Sequence, residues 1–343
     1  MKLKLALLFG FSMLLSCSEP GNDFRSKIAV LDWGADTCYV IGHKTPDVDA
    51  VCSSVAYAEL MRSLGYNCEA KVCGNVNKET EYVSEALGFC LPGRIQGVAP
   101  GRRVILTDHS EYAQSADGVR EAKVLQIIDH HAPGDIYTGA VPFVYCDLVG
   151  SACTLVWELY GQSGIIPTEQ SARAMLAGVM SDTHNLTKKG TTARDSLAWF
   201  SLSAQLGLSP ESLKPISEGM AEASRSYEGM SDEEIFLSDV KSYVIHDHAI
   251  RIGSVDWLDA ATADAFMDRM LKTMEQVAAP DEMLFAKVDV STQGCYVLYY
   301  GPGAEDVAAQ AFGQPVRSGV CHSDSKLNRK RHVVPMITNA LER

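Results

Sequence analysis

Short apolar runs alternate with longer stretches of helical periodicity along the first 206 residues. The run CYVIG at 38–42 is followed by an amphipathic pattern from Val48 to Leu64, closed by Gly65 as a C-cap. RVILTD at 103–108 and VLQIID at 124–129 read as further buried strands, and helical patterns follow at 150–161, 168–181 and 191–206. This alternation predicts an α/β domain: a doubly wound parallel sheet with helices on both faces. Around GMAEASRSYEGMS, 219–231, the apolar face is lost and the composition turns small and polar, as in an interdomain linker. Beyond it YVIHDHAIRIGSV, LFAKVDV and CYVLYYG read as strands, with one long helix near 259–278, which predicts a smaller mixed α/β domain. The expected organisation is a leader at 1–17, a polar tether at 18–36, a first domain at 37–220, a linker at 221–231 and a second domain at 232–343.

The leader MKLKLALLFGFSMLLSC has Lys2 and Lys4, an apolar stretch too short to span a bilayer as a mature helix, and Ser16 before Cys17. That order resembles a bacterial lipoprotein signal with Cys17 as the lipidated residue, and so predicts a protein anchored in the cell envelope; without such a signal the setting is cytoplasmic. Ten cysteines less Cys17 leave nine, an odd number without a C-x-x-C pair, which reads as buried small hydrophobes rather than disulfides or a thiolate zinc site. A net charge of −13 disfavours a sequence-independent grip on nucleic acid. An anionic substrate would have to be met by local side-chain cations or metals.

Acidic and imidazole residues form four clusters, three of which directly follow an apolar strand-like run. GHKTPDVDA carries His43, Asp47 and Asp49; TDHSE carries Asp108 and His109; IDHHA carries Asp129, His130 and His131; MSDTHN carries Asp182. Any one of them alone reads as a turn or helix-cap residue. In open α/β sheets, however, ligands bind beyond the carboxyl ends of the strands, so the clusters converge on one crevice. Carboxylates gathered this closely repel and take up protons unless cations sit among them, and two divalent metals would neutralise them with the imidazoles as ligands. Nitrogen and oxygen donors without thiolates suit manganese, cobalt or iron better than magnesium.

GHKTPDVDAVCSSVAYA, TDHSE, IDHH and SDT, in this order and spacing, resemble the DHH phosphoesterase superfamily and within it the manganese-dependent, family II inorganic pyrophosphatases. The resemblance implies that His43, Asp47 and Asp108 bind one manganese, and that Asp49, Asp108, His130 and Asp182 bind the other. It also implies that His131 faces the substrate, with Asp129 orienting the motif, and that Lys241 in SDVKSY and Arg329 and Lys330 in LNRKRHVVPMI bind the phosphates. Asn328, His332, Ser110 and the segment THNLTKKGTT depart from the family's usual residues without removing a proposed ligand.

The expected reaction is hydrolysis of pyrophosphate to two phosphates by a hydroxide bridging two manganese ions, with Mg2+ arriving on the substrate, Co2+ as a substitute metal and closure between the two domains. Asp108, His131 and Lys241 are the expected catalytic residues, and a homodimer through the first domain is implied. Two alternatives are a phosphoesterase acting on short polyphosphates or oligonucleotides and dinucleotides, and a lipid-anchored binding protein that has lost catalysis.

Overall fold

The apolar runs of the first half become strands that all point the same way. β1 (Cys38–Ile41), β2 (Cys68–Cys73), β3 (Gly93–Ile95), β4 (Arg103–Thr107), β5 (Lys123–Asp129) and β6 (Phe143–Cys146) form one parallel sheet in the order β3-β2-β1-β4-β5-β6. The order reverses direction between β1 and β4, which is where such sheets open a crevice at their carboxyl ends. Ile41 pairs with Leu106, so His43 and Asp108 leave these two strands side by side. The computed structural model describes residues 24–257, 260–290 and 293–342; Cys17 and the leader lie outside the described residues.

Among the described residues seven helices belong to this sheet: α1 (Phe24–Ala29), α2 (Val48–Ser63), α3 (Lys78–Leu87), α4 (Ala152–Ser163), α5 (Glu169–Asp182), α6 (Ala193–Leu206) and α7 (Pro210–Ala223). All contribute to one core, where Cys52, Leu60 and Met61 of α2 meet Val40 of β1 and Ile105 of β4. The other face, with Ile41, Val104, Leu106 and Ile127, is closed by Val98, Ala116 and Val119. There the sequence predicts helices, and the chain instead supplies an irregular segment with one short helical turn, Val119–Glu121. The β4–β5 connection, DHSEYAQSADGVREA, is broken up by turn residues.

Two boundaries and several strands differ from the reading of the sequence. Phe24 and Ile28 of α1 are buried, with the Phe24 ring 5.3 Å from that of Phe143, so part of the stretch expected to be a tether belongs to the core. Helix α7 runs through Ala223 into the expected linker, and its capping box, Ser209 with Ser212, fixes where it starts. Strands β2 and β3 carry no continuous apolar run, CEAKVC being interrupted by polar residues and GRI being three residues long, while β6, the short apolar run FVYC, alternates between half-buried and exposed positions.

The chain divides into two compact units between Ser224 and Arg225. The second holds α8 (Asp232–Leu237), β7 (Val240–Ile245), β8 (His248–Trp257), α9 (Ala263–Val277), β9 (Glu282–Val290), β10 (Gly294–Tyr300), α10 (Ala304–Phe312), β11 (Val320–Ser323), a wide helical turn at Arg329–Val333, and α11 (Val334–Leu341). Its sheet has the order β11-β10-β9-β8-β7, with β8 and β9 parallel and the other neighbours antiparallel. His246 and Asp247, with φ of 47° and 64°, make the tight turn between β7 and β8. Phe266 and Met270 cover one face against Leu284 and Val288; Ala308 and Ile337 cover the other against Ile252 and Phe285. All nine described cysteines are free, and all but Cys90 and Cys146 are buried. Among the described residues no helix is long and apolar enough to cross a membrane.

Candidate metal centre

The ends of β1, β4 and β5, the start of α2 and the last residue of α5, Asp182, bring the clustered residues together. The Nε2 atom of His43 lies 3.3 Å from Asp47 Oδ2 and 3.4 Å from Asp108 Oδ2. The Nε2 atom of His130 lies 3.1 Å from Asp108 Oδ1, 3.5 Å from Asp182 Oδ2 and 3.8 Å from Asp49 Oδ2. Two groups of donors result, His43/Asp47/Asp108 and Asp49/His130/Asp182, and a third, Asp108/His130/His131, overlaps them, the atoms in each group lying within 4.8 Å of one another. Asp108, 2% exposed, reaches both with one oxygen apiece.

Local structure explains how each side chain is aimed. Asp47 is the N-cap of α2: its Oδ1 accepts from Ala50 N at 3.0 Å, which leaves Oδ2 turned to His43. It is therefore both the cap residue that a lone aspartate suggests and a member of the cluster. Asp49 is fully buried at the N-terminus of α4, where it accepts from Ser151 Oγ, Ala152 N and Cys153 N at 2.7, 2.5 and 3.0 Å. Room for that carboxylate comes from Gly178 of α5, where a Cβ would sit 2.7 Å from Asp49 Oδ1. Asp108 adopts φ 62°, a left-handed conformation that turns its side chain off the end of β4. Val149 O can only accept, so His130 Nδ1, 3.1 Å away, donates to it and Nε2 is left for the cluster.

The electrostatics are those of a site short of positive charge. Burial, and then the charges of Asp49, Asp108 and Asp47, push the Asp182 carboxyl up to about 9. Burial and Asp108 push Asp49 up to about 6. Burial alone would lower His43 and His130, but the neighbouring carboxylates overrule it and raise both to about 10. Burial works to raise Asp108 too, and the imidazoles of His130 and His43 outweigh it, holding the acid well below its usual range. Asp108 Oδ1 and His130 Nε2 are nevertheless both buried and, although 3.1 Å apart, too poorly aligned to hydrogen-bond to anything. Donor atoms that converge without bonding one another fit a cation between them, and this mixed imidazole and carboxylate set fits manganese.

The remaining histidines divide cleanly. His131 is exposed, with Nδ1 held by Asp129 Oδ1 at 2.9 Å, and that bond raises its pKa. His109 is buried with both ring nitrogens engaged, by Thr107 O at 2.9 Å and Ser115 Oγ at 3.0 Å, and burial lowers its pKa. His184 is exposed and begins a run of three left-handed residues, His184, Asn185 and Leu186, just past Asp182. Sequence reasoning missed Ser151, whose signal was the small-residue helix start GSACT.

Residues 37–179 match the DHH family N-terminal domain and residues 218–340 match the DHHA2 domain. A probable manganese-dependent inorganic pyrophosphatase of Clostridium acetobutylicum is 32% identical over 310 residues, covering 90% of this chain and 99% of that protein. The chain belongs to the manganese-dependent inorganic pyrophosphatase family. The manganese-dependent inorganic pyrophosphatase of Methanothrix thermoacetophila is 28% identical over 90% of this chain and all, 100%, of its own length. Among solved structures, one titled "putative family II inorganic pyrophosphatase", from Methanococcus jannaschii, aligns with a TM-score of 0.65 at 26% identity, over 90% of this chain and 100% of that one.

In this family member the expected phosphate binders lie in the second unit. Arg329 and Lys330 line a cavity of about 440 Å³ together with Lys287, Lys326, His332 and three acids, Asp239, Asp256 and Asp289. Two of the cations are already paired: Arg329 Nη2 donates to Asp239 Oδ1 at 2.7 Å and Nη1 to Asp239 O at 2.6 Å, and Lys287 donates to Asp289 at 2.5 Å. Lys241 is exposed on β7 opposite Ile252, whose carbonyl also accepts from Arg329 at 3.4 Å, so the two cations occupy neighbouring positions on the sheet. Lys287 escaped notice in the sequence because it sits inside an apolar run. A larger hollow in the first unit, about 800 Å³ beside Tyr112, Arg120 and Tyr137, holds none of the expected site residues.

Proposed function

We propose that this chain hydrolyses inorganic pyrophosphate to two phosphates, using two manganese ions. The observation that supports it best is the convergence of His43, Asp47, Asp49, Asp108, His130 and Asp182 at the sheet reversal, in a chain of this family. His43, Asp47 and Asp108 would hold one ion; Asp49, Asp108, His130 and Asp182 would hold the other, with Asp108 shared. Bound there, manganese would acidify coordinated water toward neutral pH and withdraw charge from phosphoryl oxygens. Cobalt is the expected substitute, and magnesium the expected companion of the substrate.

The chain's own residues do the rest. Asp129 fixes the tautomer of His131 through Nδ1, so that Nε2 faces outward to hydrogen-bond or protonate a phosphate oxygen. Lys241, Arg329 and Lys330 neutralise the polyanion, Arg329 by exchanging its bonds to Asp239 for bonds to phosphate. Closure of the two units on the substrate belongs to the same proposal.

Phosphate release from pyrophosphate, tripolyphosphate and a dinucleotide, measured with manganese present, tests the reading. Preference for pyrophosphate is expected; preference for either of the others would overturn it. We also propose that Cys17 carries a lipid at the cell envelope, in which case Cys17→Ala moves the protein from the membrane fraction to the soluble one. A homodimer through the first unit is the final part of the proposal. Edge strand β6, with Val144 and the nearby Leu148 exposed, supports it, and sedimentation at micromolar concentration tests it.

A further inference from the structure

The loop between β6 and α4 holds two of the six clustered residues. Asp49 accepts from Ser151 Oγ, Ala152 N and Cys153 N, and His130 Nδ1 donates to Val149 O. Asp49 and His130, both in the second donor group, therefore take their orientation from residues 149–153. Asp47, in the first group, takes its orientation from the start of α2 through Ala50 N.

Asp195, fully buried in the first turn of α6, holds that loop in turn. Its Oδ2 accepts from Gly150 N at 2.8 Å and from Thr192 N and Oγ1 at 2.7 Å each, and its Oδ1 accepts from Thr154 Oγ1 at 2.7 Å. Capping of α6 accounts for the two bonds from Thr192. It does not account for those from Gly150 and Thr154, 45 and 41 residues away in the chain. Gly150 is required for the approach, since a Cβ there would sit 3.0 Å from Asp195 Oδ2 and 2.8 Å from Thr183 Cγ2.

We infer that Asp195 is a positioning residue for the second manganese ion, acting through Gly150 and the 149–153 loop on Asp49 and His130. The inference rests on the metal reading above. A residue one step behind the ligands sets their direction, and its loss typically weakens metal binding about 10- to 100-fold.

The test is a titration of the metal-free full chain with Mn2+, followed by equilibrium dialysis and by the manganese paramagnetic resonance spectrum, for wild type, Asp195→Asn, Asp195→Ala and Thr192→Ala. Wild type is expected to hold two ions with an exchange-coupled spectrum. Asp195→Ala should keep the first ion near wild-type affinity, weaken the second about 10- to 100-fold, and show the six-line spectrum of an isolated ion. Asp195→Asn should recover most of that loss, because an amide oxygen still accepts from Gly150 N. Thr192→Ala, which removes only cap contacts, should lower the melting temperature and leave both ions bound. Should Asp195→Ala not fold, Gly150→Ala, which pushes the loop off Asp195, carries the same expectation. Two ions bound as in wild type by Asp195→Ala, or loss of both in parallel in Asp195→Ala and Thr192→Ala, would overturn the inference. A wild-type chain that holds fewer than two ions would overturn the metal reading instead, and the inference with it.

Discussion

Loading the metal-free chain with manganese should release protons, in a number the site geometry fixes. His43 and His130 are held up to about 10 and Asp182 up to about 9, so at pH 7 all three carry a proton. Asp49, at about 6, and Asp108, held lower still, have already lost theirs. Ligation needs each group deprotonated, so binding both ions should expel about three protons per chain near neutrality. The product of the two binding constants should then rise by about three decades per pH unit between pH 7 and 8, or about 4 kcal/mol per unit. Calorimetric titration in two buffers of different protonation enthalpy counts the protons directly. Asp182→Asn should reduce the count by one. Release of fewer than one proton, or affinity flat from pH 6 to 8, would refute the reasoning. In the metal-free chain the raised imidazoles add stability that is complete below their ordinary range and is lost as pH rises through about 10. The raised Asp182 carboxyl subtracts stability once pH exceeds its ordinary range, fully so only above about 9.

Other expectations follow from single contacts. Asp108→Asn removes the one carboxylate within reach of both donor groups and should cut phosphate release by at least about 10³-fold, some 4 kcal/mol of barrier, with both ions lost on dialysis. Arg329→Lys keeps the charge but not the planar fork now engaged with Asp239, and should raise KM for pyrophosphate about tenfold, read from steady-state kinetics. Tyr57→Phe strips the buried hydroxyl that donates to Gln126 Oε1 and should destabilise the first unit by about 1–3 kcal/mol in urea unfolding.

Most of the acid and imidazole cluster was legible in the sequence because it follows apolar runs directly: after CYVI and RVILT the next polar residues with chemistry are His43 and Asp108, whereas Asp182 ends a helix. Buried strands β1, β4 and β5 announce themselves by composition. Edge strand β3 does not, since its three residues GRI are largely exposed and carry no apolar pattern, and edge strand β6, FVYC, is apolar but only four residues long. Asp49 and Asp195 show a different limit. Each sits in the first turn of a helix, where an acid is favourable whatever else it does, so sequence alone cannot separate a helix-start acid from one that organises a neighbouring loop. The pairings of Arg329 with Asp239 and of Lys287 with Asp289 were equally hidden, because the first joins residues 90 apart in the chain and the second lies within a run that reads as plain strand.

Asp182, crowded by other carboxylates, makes this protein's tolerance of mutation depend on its medium. A library screened for heat resistance in a chelating buffer would enrich asparagine at position 182, because the amide removes a charge the folded chain resists. The same library screened with manganese would discard that variant. Directed evolution for robustness in this scaffold would therefore have to be run in the presence of the ion, or it would select against residues proposed to hold it.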